Sequence, residues 1–371
     1  MVRSALIDPR ITPTMFDPGQ LLPYGWNDTL SDTFDNYPAD GREPGRVIRV
    51  DRGRCDVATP AGVVRALAGE HTLCTGDWVT LHRHGDEIAV ADLLPRRSAI
   101  VRASASGRSE GQLLAANVDT VVIAAGLDTA LDLGRIERLL ALVWESGAQP
   151  VVALTKSDTV QDVSLATAEV AAVAPGATVL AVSADTGDGI DVLTAVIDGT
   201  VALIGPSGAG KSTLANALLG EDVLATGRVR EGDHKGRHTT AHRELLPLPS
   251  GGALIDTPGL RGVGMWDAAD GIDKTFPEIE ELAAQCRFAD CSHTAEPGCA
   301  VQGAVERGEL PERRLSTVAS ISNTIRYVLT LSTTRIGEAA QYLGPSAVRT
   351  RTAASEGRLP SRRTGFGGPK L

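Results

Sequence analysis

Residues 151–158 read VVALTKSD, an apolar run of strand type that stops at Lys156, Ser157 and Asp158, well ahead of the Gly-rich stretch GPSGAGKST at 205–213. The order of these two stretches decides the fold. The second follows the strand-like TVALIG of 200–205 and leads into the helical KSTLANALLG of 211–220, the setting that a G-x-x-x-x-G-K-[ST] loop requires. Gly205, Pro206, Ser207, Gly208, Ala209 and Gly210 let backbone N–H groups turn inward around phosphates, and the helix N-terminus adds the positive end of its dipole. Lys211 reaches the terminal phosphates, and the Ser212 hydroxyl, beside Thr213, can ligate Mg²⁺. Such a loop holds a nucleoside triphosphate without choosing its base.

The earlier stretch supplies the choice. A carboxylate at the end of a strand, Asp158, can accept two parallel hydrogen bonds, and guanine offers that pair from its ring N–H and exocyclic amine, whereas adenine presents the wrong polarity. Lys156 would lay its methylene stem along the purine face, and the Ser183–Ala184 turn of VSADTGDG would bring a backbone N–H to the guanine oxygen. Thr155 stands where N-K-x-D motifs carry Asn; a hydroxyl makes fewer bonds than an amide, so weaker affinity is expected while Asp158 keeps guanine selection. Further on, LIDTPG places Asp256 at a strand end and Gly259 three residues later, the D-x-x-G pattern that holds a Mg²⁺ water and senses the γ-phosphate. Between the phosphate loop and Asp256, KGRHTTAHREL offers Thr239 or Thr240 as a further Mg²⁺ ligand, and spacing does not separate the two. The elements of a GTP site are therefore present in the order base, base, phosphate loop, switch, switch. The sheet is expected to be circularly permuted, because sites that meet at one sheet edge do not depend on where surface loops are cut.

Working outward, residues 111–272 alternate apolar strands with short helices, the pattern of a parallel α/β sheet covered on both faces. Residues 42–110 carry five short β-like runs separated by Gly, Asp and His, which suggests an OB-like barrel. It holds eleven Arg against nine acids, more basic than the whole chain at net −10. Composition alone reads as a surface of mixed charge, and the OB-like form is what raises RNA binding. The net charge excludes a protein that coats nucleic acid with its whole surface. Residues 1–41, with six Asp against two Arg, read as a partly ordered arm, and 346–371, with six basic residues and one acid, as a flexible basic tail.

Three of the five cysteines fall within fourteen residues of 273–345, a segment expected to be mostly helical. CRFADCSHTAEPGC places Cys286, Cys291, His293 and Cys299 as C-x4-C-x-H-x5-C, four soft ligands suited to one closed, structural Zn²⁺ site. Cys55 and Cys74 are expected to be buried, small and apolar. With no apolar run of eighteen residues, the chain is expected to be soluble and cytoplasmic, with no membrane partner, and a monomer.

The permuted order, the GPSGAGKS loop, GRHTT, IDTPG, a barrel ahead and a Cys/His cluster behind resemble the RsgA (YjeQ) family of circularly permuted GTPases, over about residues 40 to 345. The resemblance implies a multidomain chain of OB-fold, permuted P-loop GTPase and zinc-binding domains. It also implies binding to the small ribosomal subunit and its rRNA, and GTP hydrolysis stimulated by that subunit in late maturation, with release on hydrolysis. The residue after the D-x-x-G glycine is Leu260, which cannot orient water as Gln does; His238 matches the family's switch His and is the candidate catalytic residue, with His234 and His242 nearby. Two alternatives stand beside it: an RNA-binding assembly scaffold in which GTP only sets conformation, and a permuted GTPase of the large-subunit assembly type, which the barrel and zinc ligands disfavour.

Overall fold

Two-residue alternation of apolar side chains over 43–93 produces five strands: β1 (Glu43–Asp51), β2 (Arg54–Thr59), β3 (Gly62–Leu67), β4 (Trp78–His84) and β5 (Glu87–Leu93). In the computed structural model, which describes residues 18–38, 40–102, 112–224, 243–256, 269–288, 291–294 and 296–321, they close into a barrel of order β1-β2-β3-β5-β4. Its interior is filled by Val47, Cys55, Val57, Ala66, Val79, Leu81 and Val90. Burial pushes the thiols up, Cys55 to about 11 and Cys74 to about 12, so both behave as the small apolar residues expected.

The segment ahead of the barrel carries more structure than its composition suggests. Gly19–Tyr24 forms a 3-10 turn, and α1 (Asp28–Phe34) is capped by the Asn27 side chain, which accepts from Leu30 N at 3.0 Å. Leu21, Trp26 and Leu30 are buried in the same core as the barrel base, with Trp26 edge-on to Trp78 at 5.4 Å between ring centroids. Residues 1–17 lie outside the described residues.

A two-stranded ribbon, β6 (Ala99–Arg102) and β7 (Gln112–Ala116), leads to a six-stranded sheet. Its parts in chain order are β8 (Thr120–Gly126), α2 (Leu133–Ser146), β9 (Gln149–Thr155), α3 (Ser164–Ala171), β10 (Thr178–Ala181), α4 (Ile190–Val196), β11 (Thr200–Ile204), α5 (Lys211–Leu219), β12 (Glu244–Pro247) and β13 (Ala253–Asp256). The spatial order is β10-β9-β8-β11-β13-β12. Alternate residues of each strand enter different cores: Val121, Ile123, Val152 and Leu154 face α2, whereas Val122, Val151, Val201 and Leu203 face α4 and α5. Burial on both faces is why these strands read as unbroken apolar runs.

The expected parallel sheet has one exception. β12 pairs antiparallel with β13, since the 248–252 connection is a hairpin, too short for the crossover a parallel partner needs.

Beyond the sheet, α6 (Ala269–Thr275), α7 (Pro277–Ala283), α8 (Ala300–Glu306) and a helix over 312–321 surround a small core of Phe276, Ile279, Val301, Ala304, Leu310 and Ile321. Ala141 of α2 belongs to that core. The approach is close because Gly271 has no side chain: a Cβ there would fall 1.9 Å from the Ala141 carbonyl oxygen.

Candidate nucleotide and metal sites

The chain enters the sheet in its middle at β8, steps outward through β9 to β10, then returns to lay β11 against β8, crosses to the far edge at β12 and turns back to fill the place between them with β13. The helices after β8 and after β11 therefore cover opposite faces. The crevice beyond the carboxyl ends of β8 and β11 is a topological switch point, where open α/β sheets bind ligands. Both halves of the expected nucleotide site converge there.

The phosphate loop links β11 to α5. Gly205 has φ 139°, and a Cβ there would lie 2.3 Å from Ala124 O of the neighbouring strand, so only glycine fits this turn. The Lys211 ammonium donates to Gly205 O at 2.9 Å and Pro206 O at 2.6 Å, folding back over its own loop. Thr155 is buried, and its hydroxyl donates to Ala209 O at 2.8 Å, tying the turn after β9 to the glycine-rich loop after β11. Its one proton is thereby committed, which is the physical content of the missing Asn.

Asp158 is exposed, and its Oδ1 accepts from the buried Ser183 hydroxyl at 2.6 Å. The two loops are stitched again where Ser157 N donates to Val182 O, and Ser183 N is taken up by Asp188 O. Lys156 has φ 58°, and its ammonium donates to Asp128 Oδ2 at 2.5 Å. Nothing in the sequence singled out Asp128; it becomes visible only once β8 and β9 lie in register. Asp256 ends β13, beside β11. His238, Thr239, Thr240 and Gly259 lie outside the described residues.

Cys286, Cys291, His293 and Cys299 offer ligand atoms that all lie within 4.8 Å of one another, a metal site. Cys286 Sγ is 3.9 Å from Cys299 Sγ, and His293 Nδ1 is 3.6 Å and 3.4 Å from those two sulfurs. A tetrahedral ion with bonds of about 2.3 Å to sulfur and about 2.0 Å to nitrogen requires edges of about 3.8 and 3.5 Å, so these three donors fit, with Cys291 completing the set. Ala300 N donates to Cys286 Sγ and Gln302 N to Cys299 Sγ, each at 3.3 Å, which supports negative sulfur. Burial opposes ionisation of Cys286, but the Ala300 and Val301 N–H groups and the neighbouring thiols outweigh it and lower its pKa, while burial and the adjacent sulfurs push Cys291 up to about 11. Gln302, in the first turn of α8, donates to His293 O at 2.7 Å and holds the histidine backbone, whose φ is 57°.

Buried charge fastens the sheet on both sides. Arg46 of β1, 1% exposed, donates to Tyr24 O, Asn117 O and Thr200 Oγ1 at 3.0–3.2 Å. Glu137 of α2, fully buried, accepts from Arg313 at 2.7 Å and Arg314 at 2.8 Å. On the outer barrel surface most arginines face nearby carboxylates: Arg65 meets Asp51 and Asp56, Arg83 meets Glu43, and Arg42 meets Asp40 and Asp92. The mixed-charge reading of the composition holds there, and Arg52 and Arg54 stand exposed at the tip of the β1–β2 hairpin. Among the described residues no helix is long and apolar enough to cross a membrane.

Residues 93–266 match the family model described as RsgA GTPase. The chain is 58% identical over 308 residues to the small ribosomal subunit biogenesis GTPase RsgA of Streptomyces avermitilis, covering 80% of this chain and 83% of that one. The protein of the same name from Streptomyces coelicolor is 57% identical, covering 80% and 84%. Among solved structures, YloQ, described as a circularly permuted GTPase, aligns with a TM-score of 0.56 at 23% identity, over 78% of this chain and 97% of that one. YjeQ from Thermotoga maritima aligns with a TM-score of 0.53 at 23% identity, over 79% and 99%. These two likenesses bear on the fold, and the permutation read from chain order is the fold they share.

Proposed function

The chain belongs to the RsgA GTPase family, and on that premise we propose that it hydrolyses GTP on the small ribosomal subunit late in that particle's maturation and leaves once the nucleotide is cleaved. The observation that carries this reading is the bond from Thr155 Oγ1 to Ala209 O, which joins base-reading and phosphate-reading loops 54 residues apart in permuted order.

Asp158 reads the guanine ring N–H and amine; accepting the Ser183 hydroxyl leaves its oxygens further lone pairs. The Ala184 N–H meets the guanine oxygen, since Ser183 N is committed to Asp188 O. Lys156 lies along the base. Gly205, Pro206, Ser207, Gly208, Ala209, Gly210, Lys211, Ser212 and Thr213 surround the phosphates. Lys211 must exchange its loop carbonyls for phosphate oxygens, a gain because its ammonium then meets an anionic acceptor in place of a neutral one. Ser212, Asp256 and either Thr239 or Thr240 would hold Mg²⁺ and its water, with Gly259 sensing the γ-phosphate. The ion would neutralise charge building on the phosphate oxygens. His238 orients the attacking water or takes its proton.

Cys286, Cys291, His293 and Cys299 would hold one Zn²⁺ with no open position, so the ion's contribution is to fold the C-terminal helices. We divide the chain into an arm at 1–41, barrel at 42–110, GTPase unit at 111–272, metal-binding unit at 273–345 and basic tail at 346–371. It works in the cytoplasm as a monomer, with rRNA as the surface it touches.

GTP turnover by the purified protein alone, with small subunits and with large subunits, and ATP in parallel, tests the proposal. A sharp rise only with GTP and small subunits is expected; no response to either subunit overturns the partner. Leu260 in place of a water-orienting Gln favours one second reading, a scaffold in which GTP only sets conformation. His238→Ala separates the two: the hydrolytic switch loses stimulated turnover and subunit maturation, whereas the scaffold keeps maturation with hydrolysis blocked.

A further inference from the structure

Lys156 is the one guanine-pocket residue whose side chain must be placed before it can work. A lysine carries a long stem with much rotamer freedom, and ordering it on ligand binding weakens affinity. Here it is ordered in advance. Lys156 sits in the left-handed backbone region at φ 58°, and the Lys156 ammonium is 2.5 Å from Asp128 Oδ2. The β8–β9 ladder dictates the meeting: Gly126 pairs with Thr155, and Leu127 N donates to Thr155 O at 2.9 Å, which delivers Asp128 opposite the start of the base turn. The Asp128 carboxylate folds back over Gly126, where a Cβ would fall 2.6 Å from Asp128 Oδ1. The Lys156 stem meanwhile passes the phosphate loop, with Cε 3.9 Å from where a Gly210 Cβ would be.

We propose that Asp128 is a positioning residue for guanine nucleotide binding, holding Lys156 so that its stem already lies as the platform for the purine. This rests on the guanine-pocket reading above. The pair is exposed, Lys156 by 33% and Asp128 by 38%, so its contribution to folding is small and its effect falls on binding. Gly126 belongs to the device, because any side chain there displaces the carboxylate.

The test uses the full, metal-loaded chain, titrated with fluorescent GDP and GTP, with steady-state turnover and the thermal midpoint measured alongside. Asp128→Ala is expected to raise Kd for GDP and GTP alike by about fivefold and to raise KM to match, with kcat and the midpoint unchanged. Asp128→Asn keeps an acceptor oxygen and recovers part of the loss. Gly126→Ala reproduces the loss with Asp128 intact. Asp158→Ala is run in parallel. Wild-type affinity in Asp128→Ala, with binding lost in Asp158→Ala, overturns the Asp128 proposal alone; a fall in midpoint and kcat together also overturns it, as the mark of a merely structural role. If Asp158→Ala still selects guanine nucleotides, the pocket reading fails instead.

Discussion

At the seam between barrel and sheet the buried Arg46 hydrogen-bonds only neutral groups, with the separate buried ion pair of Arg96 and Asp77 in the same region; at the seam between sheet and metal-binding helices the buried Glu137 is met by two arginines. Burial pushes the Arg46 guanidinium down to about 9, partly offset by the distant carboxylate of Asp119, and it still carries its charge at neutral pH. Its hydrogen-bond partners are neutral: two backbone carbonyls, one hydroxyl, and the face of Trp78, whose centroid is 4.5 Å away. Glu137 has two arginines, one of which, Arg314, also bonds Glu278 and Thr275 O and lies over Phe276. Arg46 and Glu137 thus join their modules to the sheet by different physics. Arg46 is a cation dissolved in neutral acceptors and an aromatic face; Glu137 belongs to a compensated charge cluster, which costs most when only one sign is removed.

The largest expected effect is loss of the metal, because structural zinc in small domains contributes on the order of 10 kcal/mol to folding. Chelation should expose Cys286, Cys291 and Cys299 to alkylation, three labels by mass, while Cys55 and Cys74 stay unlabelled until the barrel unfolds. Labelling of Cys55 or Cys74 together with the cluster would show that the two modules unfold as one and would break the comparison.

Next in size is Glu137→Ala, which takes from Arg314 its buried carboxylate, leaves it only the partly exposed Glu278, and should cost about 3 kcal/mol, read from the denaturant midpoint of the metal-loaded chain. Glu137→Leu combined with Arg314→Met should recover more than half of that loss; no recovery would mean that shape, and not charge, organises the seam. Smaller again is Arg46→Met, at about 1–2 kcal/mol, since the acceptors left behind are neutral and the cost of burying the cation is removed with it. A loss as large as that of Glu137→Ala would erase the distinction between the seams. Smallest is Arg65→Ala on the open barrel surface, where the partners Asp51 and Asp56 are hydrated, and the midpoint should not move.

What the sequence determined by itself lies close together along the chain. The expected phosphate loop occupies nine consecutive residues, and the four candidate metal ligands lie within fourteen, so spacing alone was enough to propose their chemistry. The strands announced themselves by periodicity, and the permutation by the order of motifs. The tertiary structure decided the rest. Arg46 and Thr200 are 154 residues apart, and Glu137 and Arg314 are 177 apart; none of these residues sits in a motif, and each looks like an ordinary surface residue until packing removes its water. Residues 19–34 became core because Leu21, Trp26 and Leu30 found the gap between barrel and sheet, which composition cannot display. Asp128 reached Lys156 through strand register, and β12 ran antiparallel through a short connection. Local chemistry is written in spacing, whereas a contact between distant segments exists only after the chain entropy of bringing them together has been overcome by burial of the whole core.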